Sequence, residues 1–207
     1  MSGEVYLIDA IREKNIELVK QIIEEKGITD LNVISDTGET PLNYSVKYGT
    51  PEIVEYLIDN GFCDINQVIE DSPTPLMVAC AYQNQEMVKL LIQKGADLEI
   101  IDDDGDTALL IAALFNDLSI VVNLIDAGAN IDAKNNDRQT LDYILKHNVE
   151  LNVFGRQIVL TKLLQLRLQQ SYNTHELDGG KKRRKTIKKS KRKKKSKKKK
   201  KSKRKYK

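Results

Sequence analysis

The stretch "DTGETPLNYSVKYGTPEIVEYLIDNGFCDIN", residues 36–66, has the signals of two short helices joined by a tight connection. Thr40 followed by Pro41 is typical of a helix start, because the threonine hydroxyl accepts a hydrogen bond from a free backbone NH and proline has no NH to lose there. Apolar residues within 53–58 form one stripe at helical spacing. Gly61 is typical of a helix end, because glycine adopts the left-handed conformation freely.

The same pattern returns along the chain with a period of about 33 residues. Two sets of residues keep this period, each separated by 34 and then 33 residues: Thr40, Thr74 and Thr107 at helix starts, and Gly61, Gly95 and Gly128 at helix ends. A single unit cannot bury its apolar stripe, but stacked units bury their stripes against each other. The sequence therefore predicts a solenoid of helical units.

These units resemble ankyrin repeats. The resemblance is carried by the Thr-Pro-Leu start at 40–42 and 74–76, by a small residue three positions after the leucine, and by the closing sequences "KGADLE" at 94–99 and "AGANID" at 127–132. It covers residues 36–147 and extends to a first, capping unit upstream. It implies an all-α ankyrin-repeat solenoid in which β-turn fingers precede the first helix of each unit. A small array of this composition is similar to those of AT-rich intracellular parasites and large DNA viruses.

We expect an ankyrin-repeat domain at residues 1–170, followed by a linker at 171–180 and a disordered tail at 181–207. The predicted units are 4–34, 35–68, 69–101, 102–134 and 135–155, with a capping helix at 156–170. Some turns depart from the repeat pattern: Arg138 replaces a glycine in the fifth unit, which also lacks one residue before its leucine, and Ser72-Pro73 replaces the glycine turn of the third. We therefore expect these outer turns to be irregular.

The charge of the chain is divided unevenly. Residues 181–207 carry 21 of the 34 Lys and Arg residues and no acid, whereas residues 1–180 hold 13 basic and 30 acidic residues, a net charge of −17. A segment with so much like charge and so little apolar content cannot form a core, which predicts a disordered tail.

Several functional classes lack their motifs. Cys63 and Cys80 form no metal or disulfide pattern and are expected to be small buried hydrophobes. No apolar run approaches the roughly 20 residues of a membrane span, and neither terminus has a secretion or lipidation signal. No Gly-rich phosphate loop or nucleophile motif is present. We therefore expect an intracellular, non-enzymatic monomer with no cofactor and no bound metal.

Two sets of array residues are candidates for binding a protein partner, which the resemblance implies as the function. Tyr48, Tyr82 and Phe115 each lie eight residues after their helix-start threonine, and His147 joins the same row if the fifth turn is shortened. Exposed aromatic residues in a row are typical of binding faces. The alternative, equally weighted, is that they pack beneath the loop before the second helix.

The second set is acidic. The fourth finger, "DDDGD" at 102–106, contributes Asp103, Asp104 and Asp106, and the third contributes Glu70 and Asp71. This spacing does not provide the alternating ligands of a calcium loop. A solvated turn is the simpler interpretation, since Asp and Gly are common in turns. The functional alternative is an acidic fingertip that attracts a basic partner.

The basic tail has several possible roles. Nuclear or nucleolar import is favoured, with cytoplasm as the alternative, because the runs resemble import signals, and nonspecific nucleic-acid binding follows from the same charge. An anionic membrane, the acidic array itself and no partner at all are further possibilities. The residues taken as representative are Lys181, Lys182, Arg183, Arg184, Lys185, Lys191, Arg192 and Lys193.

The sequence thus predicts a protein-binding adaptor for an unidentified protein partner. The alternative is a nucleic-acid-associated protein in which the tail is the main binding element and the array recruits or spaces.

Overall fold

The computed structural model describes residues 3–32, 39–68, 73–148 and 154–168. The predictions for Glu70 and Asp71, for the linker at 171–180 and for the basic tail at 181–207 lie outside the described residues.

The regular structure of the described ranges is entirely helical, which confirms the predicted all-α class. Its helices are α1 Gly3–Arg12, α2 Ile16–Lys26, α3 Pro41–Tyr48, α4 Pro51–Asp59, α5 Pro75–Ala81, α6 Gln85–Gln93, α7 Ala108–Leu114, α8 Leu118–Asp126, α9 Leu141–His147 and α10 at residues 154–168. Each pair from α1/α2 to α7/α8 is one helix–turn–helix unit, as the period predicts.

Threonine caps set the starts of the first helices. The hydroxyls of Thr40, Thr74 and Thr107 accept hydrogen bonds from the backbone NH three residues on, at 3.1, 3.3 and 3.4 Å, and Thr140 does the same for α9 at 3.3 Å. Each bond satisfies one of the NH groups that a helix leaves free at its start. The caps predicted from the sequence are therefore confirmed.

The helices form two layers. The first helices α1, α3, α5, α7 and α9 pack in series, and the second helices α2, α4, α6 and α8 pack in series behind them. Leu42, Leu76 and Leu109 face the core and are at most 1% exposed, and burying each such side chain contributes about 2 kcal/mol. The small residues Ser45, Ala79 and Ala112 are fully buried, which lets neighbouring first helices approach closely.

Polar side chains also connect each unit to the next, in the loops after the second helices. The amide oxygens of Asn32 and Asn66 accept from the backbone NH of Asp64 and Asp97, at 2.7 and 2.8 Å. A Glu99 carboxylate oxygen accepts from Asn130 NH at 2.8 Å in the next loop. These bonds fix the spacing between units on the side of the loops.

The fifth finger is regular, contrary to the prediction. It has an isolated bridge between Lys134 and Thr140 where the fourth finger has one between Ile101 and Thr107. Arg138 has φ +62°, so it adopts the left-handed conformation that Gly105 adopts with φ +75°. The expected irregularity and shortening were wrong because an arginine accepts the glycine conformation and Thr140 still caps α9.

The last described helix begins two residues before the predicted capping helix. Gly155 lies against Leu118 of α8, where an added Cβ would collide with the leucine side chain. Arg156 donates to the backbone oxygens of Leu145 and Lys146, at 3.4 and 3.1 Å, and so caps the end of α9. The chain divides into two units between Val159 and Leu160. The predicted domain end at residue 170 stays a prediction.

Two further observations bear on function. Among the described residues, no helix has both the length and the apolarity to cross a membrane, and no group of three or more His, Cys, Asp or Glu could hold a metal ion.

Cys63 and Cys80 are buried free thiols, as predicted. Burial raises the pKa of Cys63 to about 12 and also raises that of Cys80, so both remain protonated near neutral pH.

Candidate partner-binding face

The first helices expose side chains mainly at their C-terminal ends. In α3, α5 and α7 the first six residues are buried, and exposure begins at the last residue or just after it. Tyr48, Tyr82 and Phe115 occupy these ends and are 41%, 54% and 48% exposed. Because α3, α5 and α7 pack in series, the three side chains lie along one face. We refer to them as the aromatic row, and their exposure argues against the alternative that they pack beneath a loop.

A lysine connects two members of the aromatic row. The Lys47 ammonium lies 4.9 Å from the centre of the Tyr48 ring and 5.0 Å from that of Tyr82, within the range of cation–π attraction. It also pairs with Glu39 at 2.8 Å, and the Lys47 side chain is only 17% exposed. The hydrogen bond to Glu39 is the main cause of a raised pKa at Lys47, and the nearby Tyr82 and Tyr48 raise it further. The cluster therefore keeps its cation and holds both rings.

Lys47 was not among the residues predicted from the sequence. The available signal was its position, one residue before Tyr48, where the next two units have Ala81 and Leu114. A charged residue at a position that is apolar in the next two units needs a partner, and Glu39 and Tyr82 are partners in neighbouring parts of the array.

Below the row, Tyr44 connects Tyr48 to the first unit. Its ring centre is 4.7 Å from that of Tyr48, and its hydroxyl accepts from Arg12 Nε at 2.8 Å. Because Tyr44 is only 5% exposed, its hydroxyl requires a hydrogen-bond partner within the array, and Arg12 is that partner. This hydrogen bond is the main cause of a raised pKa at Arg12, which also pairs with Asp9 at 3.1 Å. The arrangement supports Tyr48 from the buried side.

The structure shifts His147 from its predicted place. Because the fifth turn is not shortened, His147 lies seven residues after Thr140 and corresponds to Lys47, and Asn148 takes the row position. The Asn148 amide donates to the Asn116 side-chain oxygen. The exposed His147 ring stacks on Tyr143 at 4.1 Å, with Nδ1 2.8 Å from the Tyr143 backbone oxygen.

Tyr143 is an exposed aromatic residue that the sequence analysis missed. It lies three residues after its capping threonine, and it is 46% exposed, whereas its counterparts in the preceding units, Asn43, Met77 and Leu110, are at most 3% exposed. The difference arises because, within the described ranges, no further first helix follows α9 to cover this position. Its position at the end of the stack, rather than its residue type, determines its exposure.

The fourth finger separates the three predicted aspartates. Asp103 and Asp104 are exposed, but Asp106 is 7% exposed and its carboxylate accepts from Asn135 Nδ2 at 3.0 Å. Asp106 therefore fits neither the solvated turn nor the acidic fingertip that was its functional alternative, because it is buried and connects the fourth finger to the fifth. Asn136 adds two contacts between these fingers, from its side chain to Asp103 O at 2.7 Å and from its NH to Asp104 O at 2.9 Å.

These contacts hold the backbone of the fourth finger at Asp103 and Asp104. Burial raises the pKa of Asp106, and the nearby negative charges of Asp102, Asp104 and Asp137 raise it further, while the Asn135 hydrogen bond lowers it. The ion pairs found among the described residues involve none of these carboxylates. The finger is therefore a locally negative surface.

These features define a helical repeat scaffold with an exposed side-chain face. A family model described as "Ankyrin repeats (3 copies)" matches residues 7–102 and 62–135, which together are more than half of the chain. The chain belongs to the ankyrin-repeat family. Arrays of this family are generally non-enzymatic scaffolds for protein interaction, which is the coarse function that the fold supports.

A segment of 53 residues, 26% of the chain, is 47% identical to part of an E3 ubiquitin-protein ligase, Ufd4, of Drosophila melanogaster. The match covers 2% of the fly protein. The likeness concerns repeat sequence, and the ligase activity in the fly protein's name is a property of that protein.

Proposed function

We propose that this chain is a non-enzymatic adaptor whose array binds a protein partner on the aromatic row, with the exposed part of the fourth finger as a second contact. The observation that carries the proposal is the alignment of Tyr48, Tyr82 and Phe115, each at least 41% exposed, on the ends of three packed helices. The proposal includes no catalytic residue.

The physical support is that these rings offer contact area at low conformational cost. Tyrosine and phenylalanine have few rotatable bonds, and side chains of this kind are frequent among the residues that dominate binding energy. Tyr48 and Tyr82 are further restrained by Lys47, whose ammonium lies about 5 Å from both ring centres. Less entropy is lost on binding when such side chains are already ordered.

The test is capture of proteins from a cell extract by the full chain and by two variants. In the row variant, Tyr82→Ala and Phe115→Ala are combined, because Tyr48 also contacts buried Tyr44. In the control variant, Tyr6→Ala removes an equally exposed tyrosine from α1, 50% exposed and outside the row. We expect the control to retain the captured protein and the row variant to lose it, with a cooperative thermal unfolding transition in all three chains. Capture by the folded row variant would contradict the proposal.

We propose further that the basic tail directs the array to the nucleus or nucleolus. The supporting observation is 21 cations and no acid in residues 181–207. Fusion of residues 179–207 to an inert reporter tests this directly: accumulation in the nucleus is expected, and a reporter spread evenly through the cell would contradict it.

The tail charge also favours a second candidate function, nonspecific binding of nucleic acid with the array as recruiter or spacer. Segments of this kind bind with dissociation constants of about 10⁻⁴ to 10⁻⁶ M, and the affinity falls steeply with salt. A salt titration separates the two candidates. A main affinity for DNA or RNA that is lost at moderate salt favours the second, and a protein partner that stays bound at moderate salt favours the adaptor.

A further inference from the structure

Charged side chains lie at two separate places on the candidate face. In the first unit Arg12 contacts Tyr44, which lies beneath the aromatic row, and in the second unit Lys47 contacts Tyr48 of the row. In the fourth unit the exposed charges of the finger are the carboxylates of Asp103 and Asp104, with Asp102 half-buried behind them. Cations that have acidic partners therefore lie beside or beneath Tyr48, and the finger that precedes α7 is anionic.

The two ends also differ in how far their charges are neutralised. Lys47 pairs with Glu39, and Arg12 pairs with Asp9. The fourth-finger carboxylates take part in none of the ion pairs formed within the described part of the chain. The fifth finger, residues 134–140, carries one net positive charge from Lys134, Asp137 and Arg138, which is less than the charge of the two exposed carboxylates of the fourth finger. The uncompensated charge of these two fingers is therefore negative.

The distance between these features suits a single polypeptide segment. The seven residues of α7 separate Thr107, at the end of the fourth finger, from Phe115. At 1.5 Å per residue this is about 10 Å, close to the diameter of an α-helix with its side chains. One segment lying along the array can contact the row with one side and the finger with the other.

We infer that the occupant of this face is a linear segment of a protein partner in which apolar side chains lie on the aromatic row and lysine or arginine side chains lie against Asp103 and Asp104. The inference rests on the proposed function and adds the chemistry of the partner. The place of the partner cation is fixed, because over Tyr48 it would meet the Lys47 ammonium, whereas at the fourth finger it meets the carboxylates of Asp103 and Asp104.

Selection from a random 12-residue peptide display library tests the inference, with the full chain as bait at 150 mM salt. A parallel selection uses the Tyr82→Ala/Phe115→Ala variant. Both baits have the same basic tail, so peptides that bind the tail are enriched equally and cancel. Peptides enriched only by the wild-type chain are those that need the row. We expect them to combine aromatic or aliphatic residues with Lys or Arg.

The affinity of these peptides is then measured against two charge variants with equal loss of negative charge. Asp103→Asn/Asp104→Asn removes the exposed finger carboxylates, and Glu52→Gln/Glu86→Gln removes two exposed carboxylates from the second helices α4 and α6. Two exposed ion pairs correspond to about a tenfold change in Kd. We expect that loss for the finger variant and little change for the control.

The outcomes separate the inference from the proposed function. Row-dependent peptides that are acidic or uncharged, or that bind the finger variant as tightly as the wild type, overturn the inference and leave the binding role of the row standing. If none of the enriched peptides needs the row, the proposed function fails and the inference fails with it.

Discussion

The ammonium of Lys47 lies 5.0 Å from the centre of the Tyr82 ring and thereby connects the first helix of one repeat with the end of the first helix in the next. The same ammonium pairs with Glu39 at 2.8 Å and lies 4.9 Å from the Tyr48 ring. One residue thus restrains a finger and two exposed rings. This explains how an exposed surface keeps a defined shape without a covering layer.

Removing the Lys47 charge should loosen this cluster. Lys47→Met keeps most of the side-chain length but loses the cation–π contacts and the ion pair, so we expect the free energy of unfolding to fall by about 1 kcal/mol. Denaturant unfolding of the full chain measures the change. Lys47→Arg is the matched control, since a guanidinium can keep both kinds of contact. Equal losses in the two variants would show that charge is not the cause.

Arg138→Gly should stabilise the array. Arg138 has φ +62°, a conformation that costs an ordinary residue roughly 1 kcal/mol relative to glycine. Arg138→Ala retains this cost and removes the same long side chain, so it should bring no gain. Thermal unfolding of both variants decides the point, and a glycine variant no more stable than the alanine variant would contradict the argument.

Gly105→Ala should be more costly than Gly61→Ala. Both glycines have a positive φ, +75° and +71°, but a Cβ at Gly105 would lie 2.7 Å from Asn136 Oδ1 and 2.9 Å from its backbone nitrogen, whereas Gly61 has open space. The shared conformational cost is about 1 kcal/mol, and we expect roughly a further 1–2 kcal/mol at Gly105 from overpacking. Equal destabilisation in denaturant titrations would mean that the fourth and fifth fingers do not pack as described.

Asp106→Asn should raise stability at neutral pH. Burial is the main reason that the pKa of Asp106 lies above its ordinary value of 3.8. An acid with a raised folded pKa favours folding at low pH, and this advantage is lost as the pH rises through the folded pKa. An asparagine cannot ionise, yet its oxygen can still accept from Asn135.

The unfolding temperature of the Asp106→Asn variant should therefore exceed that of the wild type at pH 7. The difference should shrink as the pH falls below about 4. Glu52→Gln, at an exposed position, serves as the control and should show no such trend. A less stable asparagine variant at pH 7 would indicate that the hydrogen bond to the charged carboxylate outweighs its burial.

The repeat architecture was predictable because its signals are local. Thr40 and Gly61 act within one turn of their own helices, and their counterparts recur at a fixed period. The places of Tyr48, Tyr82 and Phe115 followed from the same period. A regular stack converts equal spacing in sequence into alignment in space.

The remaining features depend on contacts between units, which local signals do not contain. The burial of Asp106 requires Asn135 of the next finger, and the role of Lys47 requires Tyr82 of the next unit. His147 was assigned to the aromatic row because the fifth unit was aligned with the others by its leucine, as if one residue were missing before it. The cap at Thr140 shows that the units align by their threonines. A search for polar residues that recur at the repeat period would have found one set of contacts between units, those of Asn32 and Asn66, which keep the repeat spacing.

The most direct test of the central claim is the affinity of a captured protein partner for three full-length chains, measured by calorimetry at moderate salt. Two aromatic contacts of the usual strength contribute about 2 kcal/mol each. For Tyr82→Ala/Phe115→Ala we therefore expect a loss of affinity of roughly 1,000-fold, while Tyr6→Ala binds as the wild type does. A folded row variant that binds within about threefold of the wild type would contradict the assignment of partner binding to the aromatic row.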